Sequence, residues 1–302
     1  MESGRWAEAR QETKMAYDIV IIDGNFICTA AKHMDKRMNA QHPGTFILFA
    51  VMKKILPIVE SFSPIVTAWV WDSRVSFRRE IYPDYKHKRA KAKKEKSEDD
   101  KKIDRLAIEQ LNEIRDVVLP YIGCQNSFLQ EGVEGDDLIA KICEDYSGKK
   151  VFLTSDHDLF QCISDDAHMF DPIRKELITP RSFFKKWGVH PRIWGDVKCI
   201  AGCGSDDVPG VPGVAEKTAV KYLTCNLKLS TAAYQKITDH KDVISRNKLL
   251  VTLPFYKTQP VKLCVPDQIK LKDFADILRV YNIRSLLTTF QLTRFEKAFR
   301  MV

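Results

Sequence analysis

The stretch Ile19-Val20-Ile21-Ile22-Asp23-Gly24-Asn25 decides the reading of the fold. Four consecutive β-branched apolar residues suit a strand buried on both faces, as in a parallel sheet. The run closes on an aspartate. The pattern then returns. Ile65-Val66-Thr67-Ala68-Trp69-Val70-Trp71 ends at Asp72, and Val151-Phe152-Leu153-Thr154 runs into Ser155-Asp156-His157-Asp158. Ala167 to Phe170 reads as a fourth strand. Helical spacing separates these runs: Thr45 to Phe62, with Pro57 as a possible kink; Ile103 to Leu119; and Leu138 to about Tyr146. Strands alternating with helices predict an α/β fold, a mostly parallel central sheet flanked by helices.

A single strand-ending aspartate is ordinarily a turn residue. Three of them, Asp23, Asp72 and Asp156, carry more weight, because open α/β sheets build sites outside the carboxyl ends of their strands. A fourth group is the run Val133-Glu134-Gly135-Asp136-Asp137-Leu138-Ile139. Alone it reads as the acidic start of a helix, with Glu134 and Asp137 on one face. Together these acids would share one crevice, where they cannot all stay ionised without cations. Oxygen ligands suit Mg²⁺ or Mn²⁺. Two such ions about 4 Å apart can activate a water and stabilise the leaving oxygen of a phosphodiester.

The 302 residues carry a net charge of +8, and 44% are hydrophobic, enough for one large domain or two modest ones. Residues 74–105 hold 13 Lys or Arg against 7 Asp or Glu, so this stretch alone supplies +6. Such a concentration suggests a polyanionic partner, nucleic acid first and an anionic membrane second, against the plainer reading of a solvated charged segment. No apolar run approaches membrane-spanning length. Residues 1–15 are polar, without a secretory pattern, and read as a tail outside the fold. The eight cysteines, Cys28, Cys124, Cys143, Cys162, Cys199, Cys203, Cys225 and Cys264, lack metal-ligand spacing and fit reduced thiols in an intracellular protein. Acids for a metal and bases for phosphate point to a metal-dependent nuclease. Further on, Gly210-Val211-Pro212-Gly213-Val214-Ala215-Glu216-Lys217-Thr218 reads as a glycine-rich turn opening a helix, where backbone N–H groups with Lys217 and Lys221 suit a phosphate. Such a turn is also often only a connector.

Six motifs in order resemble the flap endonuclease / 5′→3′ exonuclease family, particularly its stand-alone bacteriophage and bacterial members. They are Ile22-Asp23-Gly24-Asn25; Trp71-Asp72-Ser73; Phe77-Arg78-Arg79 through Tyr82-Pro83-Asp84-Tyr85-Lys86-His87-Lys88-Arg89; Glu134-Gly135-Asp136-Asp137; Thr154-Ser155-Asp156-His157-Asp158; and Gly202-Cys203-Gly204-Ser205-Asp206-Asp207 running into Val208-Pro209-Gly210-Val211-Pro212-Gly213. The resemblance covers roughly residues 17–225. It implies a nuclease core over 16–190 with a basic helical arch at 74–105. It also implies a helical C-terminal region over 191–302, with a helix–turn–helix-like, duplex-binding element at 202–223.

The same resemblance implies that Asp23, Asp72, Glu134 and Asp136 hold a first Mg²⁺ or Mn²⁺, and that Asp156, Asp158 and Asp206 hold a second, with Asp137 between or supporting them. Lys86 and Arg89 would reach the scissile phosphate. Tyr85 would stack on a base or pack within the arch. Arg78 and Arg79 would bind DNA or be salt-bridged. Gly210, Gly213, Lys217 and Lys221 would grip the duplex backbone, with a monovalent cation such as K⁺ on the turn carbonyls. The arch segment Lys91 to Lys102, poor in apolar residues, would order on substrate. The expected partners are branched or 5′-flapped DNA, RNA–DNA hybrid and unidentified replication proteins. The expected state is a free-standing monomer in the cytoplasm or nucleoid, or in the host cytoplasm for a phage protein.

The chain departs from the family pattern where an aspartate usually follows Gly202. A thiol, Cys203, stands there, and thiols serve Mg²⁺ poorly. Asp207 replaces the usual Asn and Ala215 a common Gly. Two other readings stay open: a DNA-junction-binding protein whose catalysis Cys203 weakens, and a compact PIN-type RNA nuclease.

Overall fold

The structure, a computed structural model, describes residues 16–32 and 45–302. The polar tail 1–15, and the Pro43-Gly44 pair before the second helix, lie outside the described residues.

Six strands form one sheet in the order β3-β2-β1-β4-β5-β6. They are β1 (Ile19–Asp23), β2 (Val66–Val70), β3 (Ser127–Phe128), β4 (Lys150–Leu153), β5 (Ala167–Asp171) and β6 (Glu176–Ile178). All neighbours are parallel except β5 and β6. The mostly parallel sheet read from the sequence is therefore present. The two-residue β3 and the antiparallel β6 were not legible, because each is too short to show a period. The chain runs outward from β1 through β2 to β3, then returns to β4 on the other side of β1. That reversal is a topological switch point, where such sheets open a crevice.

Side-chain alternation explains why β1 is apolar throughout. Val20 and Ile22 join one core with Trp69, Trp71, Val151 and Leu153, whereas Ile19 and Ile21 join a second core with Val66, Ala68, Val70 and Phe152. The first core is covered by α1 (Gly24–Lys32) and α2 (Phe46–Phe62), whose Ile47, Val51, Ile55 and Val59 are fully buried. It is closed by two C-terminal helices, Leu271–Val280 and Thr289–Phe299, through Phe274, Leu278 and Phe295. Arg294 fastens the last of these to Glu60 of α2, with Nε–Oε1 at 2.7 Å and Nη2–Oε2 at 2.5 Å. The second core is covered by the helix Gly135–Asp145, by Trp194–Ala201, and by Val211, Val214 and Ala219 around the glycine-rich turn. Residues from both sequence-defined regions thus share both cores.

The basic stretch is helical. His87–Lys94 leads into a longer helix, Glu98–Glu113, continued by a π-helical turn over Ile114–Val118. The longer helix begins five residues before the expected Ile103. The Ser97 hydroxyl caps it by accepting from Asp100 N–H at 3.1 Å, and three acids occupy its first turn, favoured by the helix dipole.

Candidate metal centre and its cationic rim

Register brings the strand ends together. Asp23 pairs with Val70, two residues before Asp72, and Ile22 pairs with Leu153, three residues before Asp156. The helix Gly135–Asp145 starts against the same edge, where Gly135 N–H donates to Asp72 Oδ1 at 2.8 Å. A Cβ on Gly135 would lie 3.2 Å from that oxygen, a tight contact that the carboxylate would have to yield to. Asn25 Oδ1 accepts from Asp72 N–H at 3.1 Å, and Asp23 Oδ1 accepts from Phe26 N–H at 2.8 Å. Thr154, fully buried, lies under Asp23. These backbone and side-chain donors orient the carboxylates without neutralising them.

The resulting crevice is short of positive charge on one side. Burial, with Asp72 and Asp156 nearby, pushes the Asp23 carboxyl up to about 7. Asp136 is pushed well up by burial and by Asp156, Asp23 and Asp72. Asp156 rises through burial and Asp158. Asp72 keeps one side open to solvent, yet its carboxyl also rises, through loss of water within the crevice and the charge of Glu134. Four carboxylates that resist ionisation beside one another are what a divalent cation relieves, and the all-oxygen donor set suits a hard ion. Asp23, Asp72 and Asp136 offer the oxygen chemistry a hard ion needs, although their oxygens do not gather within 4.8 Å of one another.

The other wall is compensated. Lys86 Nζ lies 2.8 Å from Glu134 Oε2 and 3.9 Å from Asp206 Oδ2. Arg89 Nη2 lies 2.8 Å from Asp206 Oδ1. Burial opposes ionisation of Glu134, but Lys86 and Arg78 win and its carboxyl falls below the usual range. For Lys86 burial likewise works against the charge, and the acids around it raise the pKa instead.

Asp158, Cys203 and Asp206 form a second cluster, their candidate ligand atoms all within 4.8 Å of one another. Cys203 is 3% exposed, with Sγ 3.0 Å from Asp158 Oδ2 and 3.0 Å from Ser205 Oγ. Burial and Asp158 push this thiol up to about 12, so it enters the cluster neutral. The other Asp158 oxygen is 2.9 Å from Lys198 Nζ, which also reaches Glu216 Oε1 at 2.8 Å. This cluster has the closer geometry, but its chemistry suits a hard divalent ion less well, since one donor is a thiol and Lys198 and Arg89 already hold two of its oxygens.

The structure decides several sequence expectations, taking the salt-bridged alternative for Arg78 and the packed one for Tyr85. Asp137 is not free for a metal. It is fully buried and takes four donors: Arg78 Nη1 and Nη2 at 2.7 Å each, Phe255 N–H at 2.8 Å and Glu134 N–H at 3.2 Å. Arg78 is not free for DNA. It is 2% exposed, and its Nε donates to Leu250 O at 2.7 Å. Tyr85 is not placed to stack on a base. It is 2% exposed and packs with Cys203, Val208 and Leu250, and its hydroxyl lies 2.9 Å from Glu134 Oε2 and 3.0 Å from Asp206 Oδ2. Gly210 answers to its own chain: a Cβ there would lie 2.2 Å from the Ala201 carbonyl. Arg79 is exposed, as are Gly213, Lys217 and Lys221 on the turn and the helix Glu216–Leu223 that follows it.

The sequence reading missed Thr154, Asn25 and Lys198. The first two lie inside motifs already noticed. Lys198 could have been found as the one charged residue within the apolar run Val197 to Ala201.

An acid-lined crevice at the switch point of a parallel sheet, rimmed by basic side chains, defines the class: an α/β protein whose candidate site has the chemistry to suit a divalent cation and a phosphate. The chain belongs to the family described as 5'-3' exonuclease, N-terminal resolvase-like domain, which matches residues 18–188, more than half of its length. It is 29% identical over 299 residues to the thermostable DNA polymerase I of Thermus aquaticus, covering 93% of this chain and 34% of the polymerase. It is 30% identical over 183 residues to a 5'-3' exonuclease of Aquifex aeolicus, covering 59% of each. The chain therefore spans about a third of the length of the polymerase it matches. Among solved structures, the bacteriophage T5 flap endonuclease, in a pseudo-enzyme–product complex with DNA and metal ions, superimposes with a TM-score of 0.66 at 19% identity, over 93% of this chain and 98% of that one. Among the described residues no helix is long and apolar enough to cross a membrane.

Proposed function

We propose that the protein is a divalent-metal-dependent 5′ nuclease that hydrolyses phosphodiesters at 5′ flaps and 5′ ends of DNA during replication or repair. The observation that carries this reading is the convergence of Asp23, Asp72, Asp136 and Asp156, all with raised carboxyl pKa, opposite Lys86 and Arg89. Family membership and the metal- and DNA-bound T5 neighbour support it.

Asp23, Asp72, Glu134 and Asp136 would hold the first ion, and Asp156, Asp158 and Asp206 a second, Mg²⁺ or Mn²⁺ in each case. Bound there, such ions supply an activated water and stabilise the leaving oxygen. The chain's own cations do the rest. Lys86 and Arg89 exchange Glu134 and Asp206 for the scissile phosphate, where they meet charge as it develops. Arg79, Lys217 and Lys221, all exposed, would hold the duplex backbone beside the turn at Gly213, where K⁺ would sit on backbone carbonyls. Such contacts read no sequence, so affinity falls with salt. RNA–DNA hybrid belongs to the same substrate class, and the protein would act as a monomer.

Cys203 favours a second reading, a junction-binding protein with weakened catalysis. Cleavage of a 5′-labelled flap in Mg²⁺ by the wild type, lost in Asp72→Ala and Asp136→Ala, supports the nuclease. Tight flap binding without cleavage by the wild type supports the binder. Degradation of single-stranded RNA alone would instead support the PIN-type reading.

A further inference from the structure

The turn Gly204–Asp206 is followed by Asp207, a non-glycine residue in the left-handed region with φ 59°. Three consecutive residues of this segment receive donors from the base of the basic helices. Ser205 O accepts from Arg89 Nε at 3.0 Å. Asp206 O accepts from Lys86 N–H at 2.9 Å. Asp207 Oδ2 accepts from Lys88 N–H at 2.6 Å.

Lys88 is the second residue of the helix His87–Lys94. Lys86, the residue that opens that helix, is itself left-handed, with φ 56°, and provides no side-chain cap. A helix start leaves N–H groups without partners inside the helix, and an oxygen from the preceding residue usually accepts one of them. Here a lysine occupies the capping position, and the oxygen comes from a side chain 119 residues away. Asp207 Oδ1 also lies 3.0 Å from Lys88 Nζ, but that lysine is 83% exposed and the pair adds little. Among the described side chains of this helix none is buried: His87, Lys88, Arg89, Lys91, Ala92 and Lys94 are all exposed. Its orientation therefore depends on its N-terminal end, and that end carries Lys86 and Arg89.

We infer that Asp207 is a positioning residue, a cap supplied from the turn that carries Asp206, which fixes the first turn of the basic helix and so aims Lys86 and Arg89 into the carboxylate crevice. Because one turn carries both Asp206 and this cap, the cationic rim and the second ligand cluster move as one piece. An amide oxygen can accept the same N–H, so asparagine suffices for the cap, whereas alanine does not.

The inference rests on the nuclease reading for its kinetic arm only. Three variants, Asp207→Ala, Asp207→Asn and Lys88→Ala, are compared with the wild type in single-turnover cleavage of a 5′ flap and in limited trypsin digestion of the DNA-free protein. Asp207→Ala is expected to lower the maximal rate by roughly tenfold to a hundredfold, as for a misplacement of about 1 Å, with little change in half-saturating DNA concentration. It is also expected to accelerate cutting within 88–105. Asp207→Asn restores both to within about threefold, and Lys88→Ala leaves trypsin cutting at its remaining sites unchanged. Wild-type rate and protection in Asp207→Ala overturn the inference, as does an Asp207→Asn variant as impaired as the alanine. If the wild type does not cleave flaps at all, the nuclease reading fails while the digestion arm still decides whether Asp207 holds the helix.

Discussion

Replacing Arg78 by alanine would strip the buried Asp137 carboxylate of the charge partner that, among the described residues, alone lies at hydrogen-bonding distance. Two of the four donors on Asp137, both at 2.7 Å, come from Arg78, and the Arg78 Nε bond to Leu250 O would go with them. The guanidinium is 2% exposed and also lies over the Phe255 ring, 4.9 Å from its centroid. Breaking a buried pair from one side leaves an uncompensated charge and costs about 3–5 kcal/mol. That is a large part of a total stability of about 5–15 kcal/mol. Adding Asp137→Asn to Arg78→Ala removes the buried charge yet keeps an oxygen for Phe255 N–H, so the double variant recovers part of the loss. Urea denaturation of the single and double variants, read by tryptophan fluorescence, measures this. Flap binding over a range of KCl concentrations measures the other half. Since Arg78 is buried, the slope of log affinity against log salt should match the wild type, whereas losing a phosphate contact lowers it by about 0.9. An Arg78→Ala protein within about 1 kcal/mol of wild type, with a flattened salt slope, would refute the structural role and return Arg78 to the DNA-binding set.

Three further outcomes follow from the same geometry. Lys86→Ala should cut the cleavage rate roughly 100-fold or more, as removal of a preorganised charge-stabilising donor does, while flap binding in Ca²⁺ persists; an unchanged rate would exclude Lys86 from the chemistry. Cys203→Asp should lower the Mg²⁺ concentration for half-maximal cleavage several-fold by giving the second cluster a hard donor, and identical titrations would show that this position does not touch an ion. The raised carboxyl of Asp23, about 7 in the fold against about 3.9 unfolded, means that the native state binds more protons than the unfolded state between those values. Stability of the chelator-treated protein should therefore fall as pH rises from about 4 to about 7, and Asp72, Asp136 and Asp156 act in the same direction. The rise in Tm on adding Mg²⁺ should then be larger at pH 8 than at pH 5; equal rises would mean that these carboxylates are not what the ion relieves.

The strands were legible because their signal is local. Ile19 to Ile22 are all β-branched and apolar, and only a strand covered on both faces buries four such neighbours. The closing aspartates were legible for the same reason, and parallel pairing forces their ends to one edge. Asp171 shows the limit of that inference. It too ends a strand, but its Oδ1 accepts from Ile173 and Arg174 N–H and from Ser155, so it serves as the turn residue that a lone aspartate ordinarily is.

What the sequence by itself determined about this protein was the sheet, the edge on which acids gather, and the sign of the charge beside them. Only the tertiary structure decided which acids are free. Asp136 and Asp137 are neighbours in the chain, yet one faces the crevice and the other is sealed by Arg78, 59 residues away. Tyr85 and Cys203 lie far apart in sequence and share one small core. A carboxylate's role depends on how many donors already hold its oxygens. Those donors come from elements that meet only when the sheet, the turn at 204–207 and the helix over 241–251 pack together.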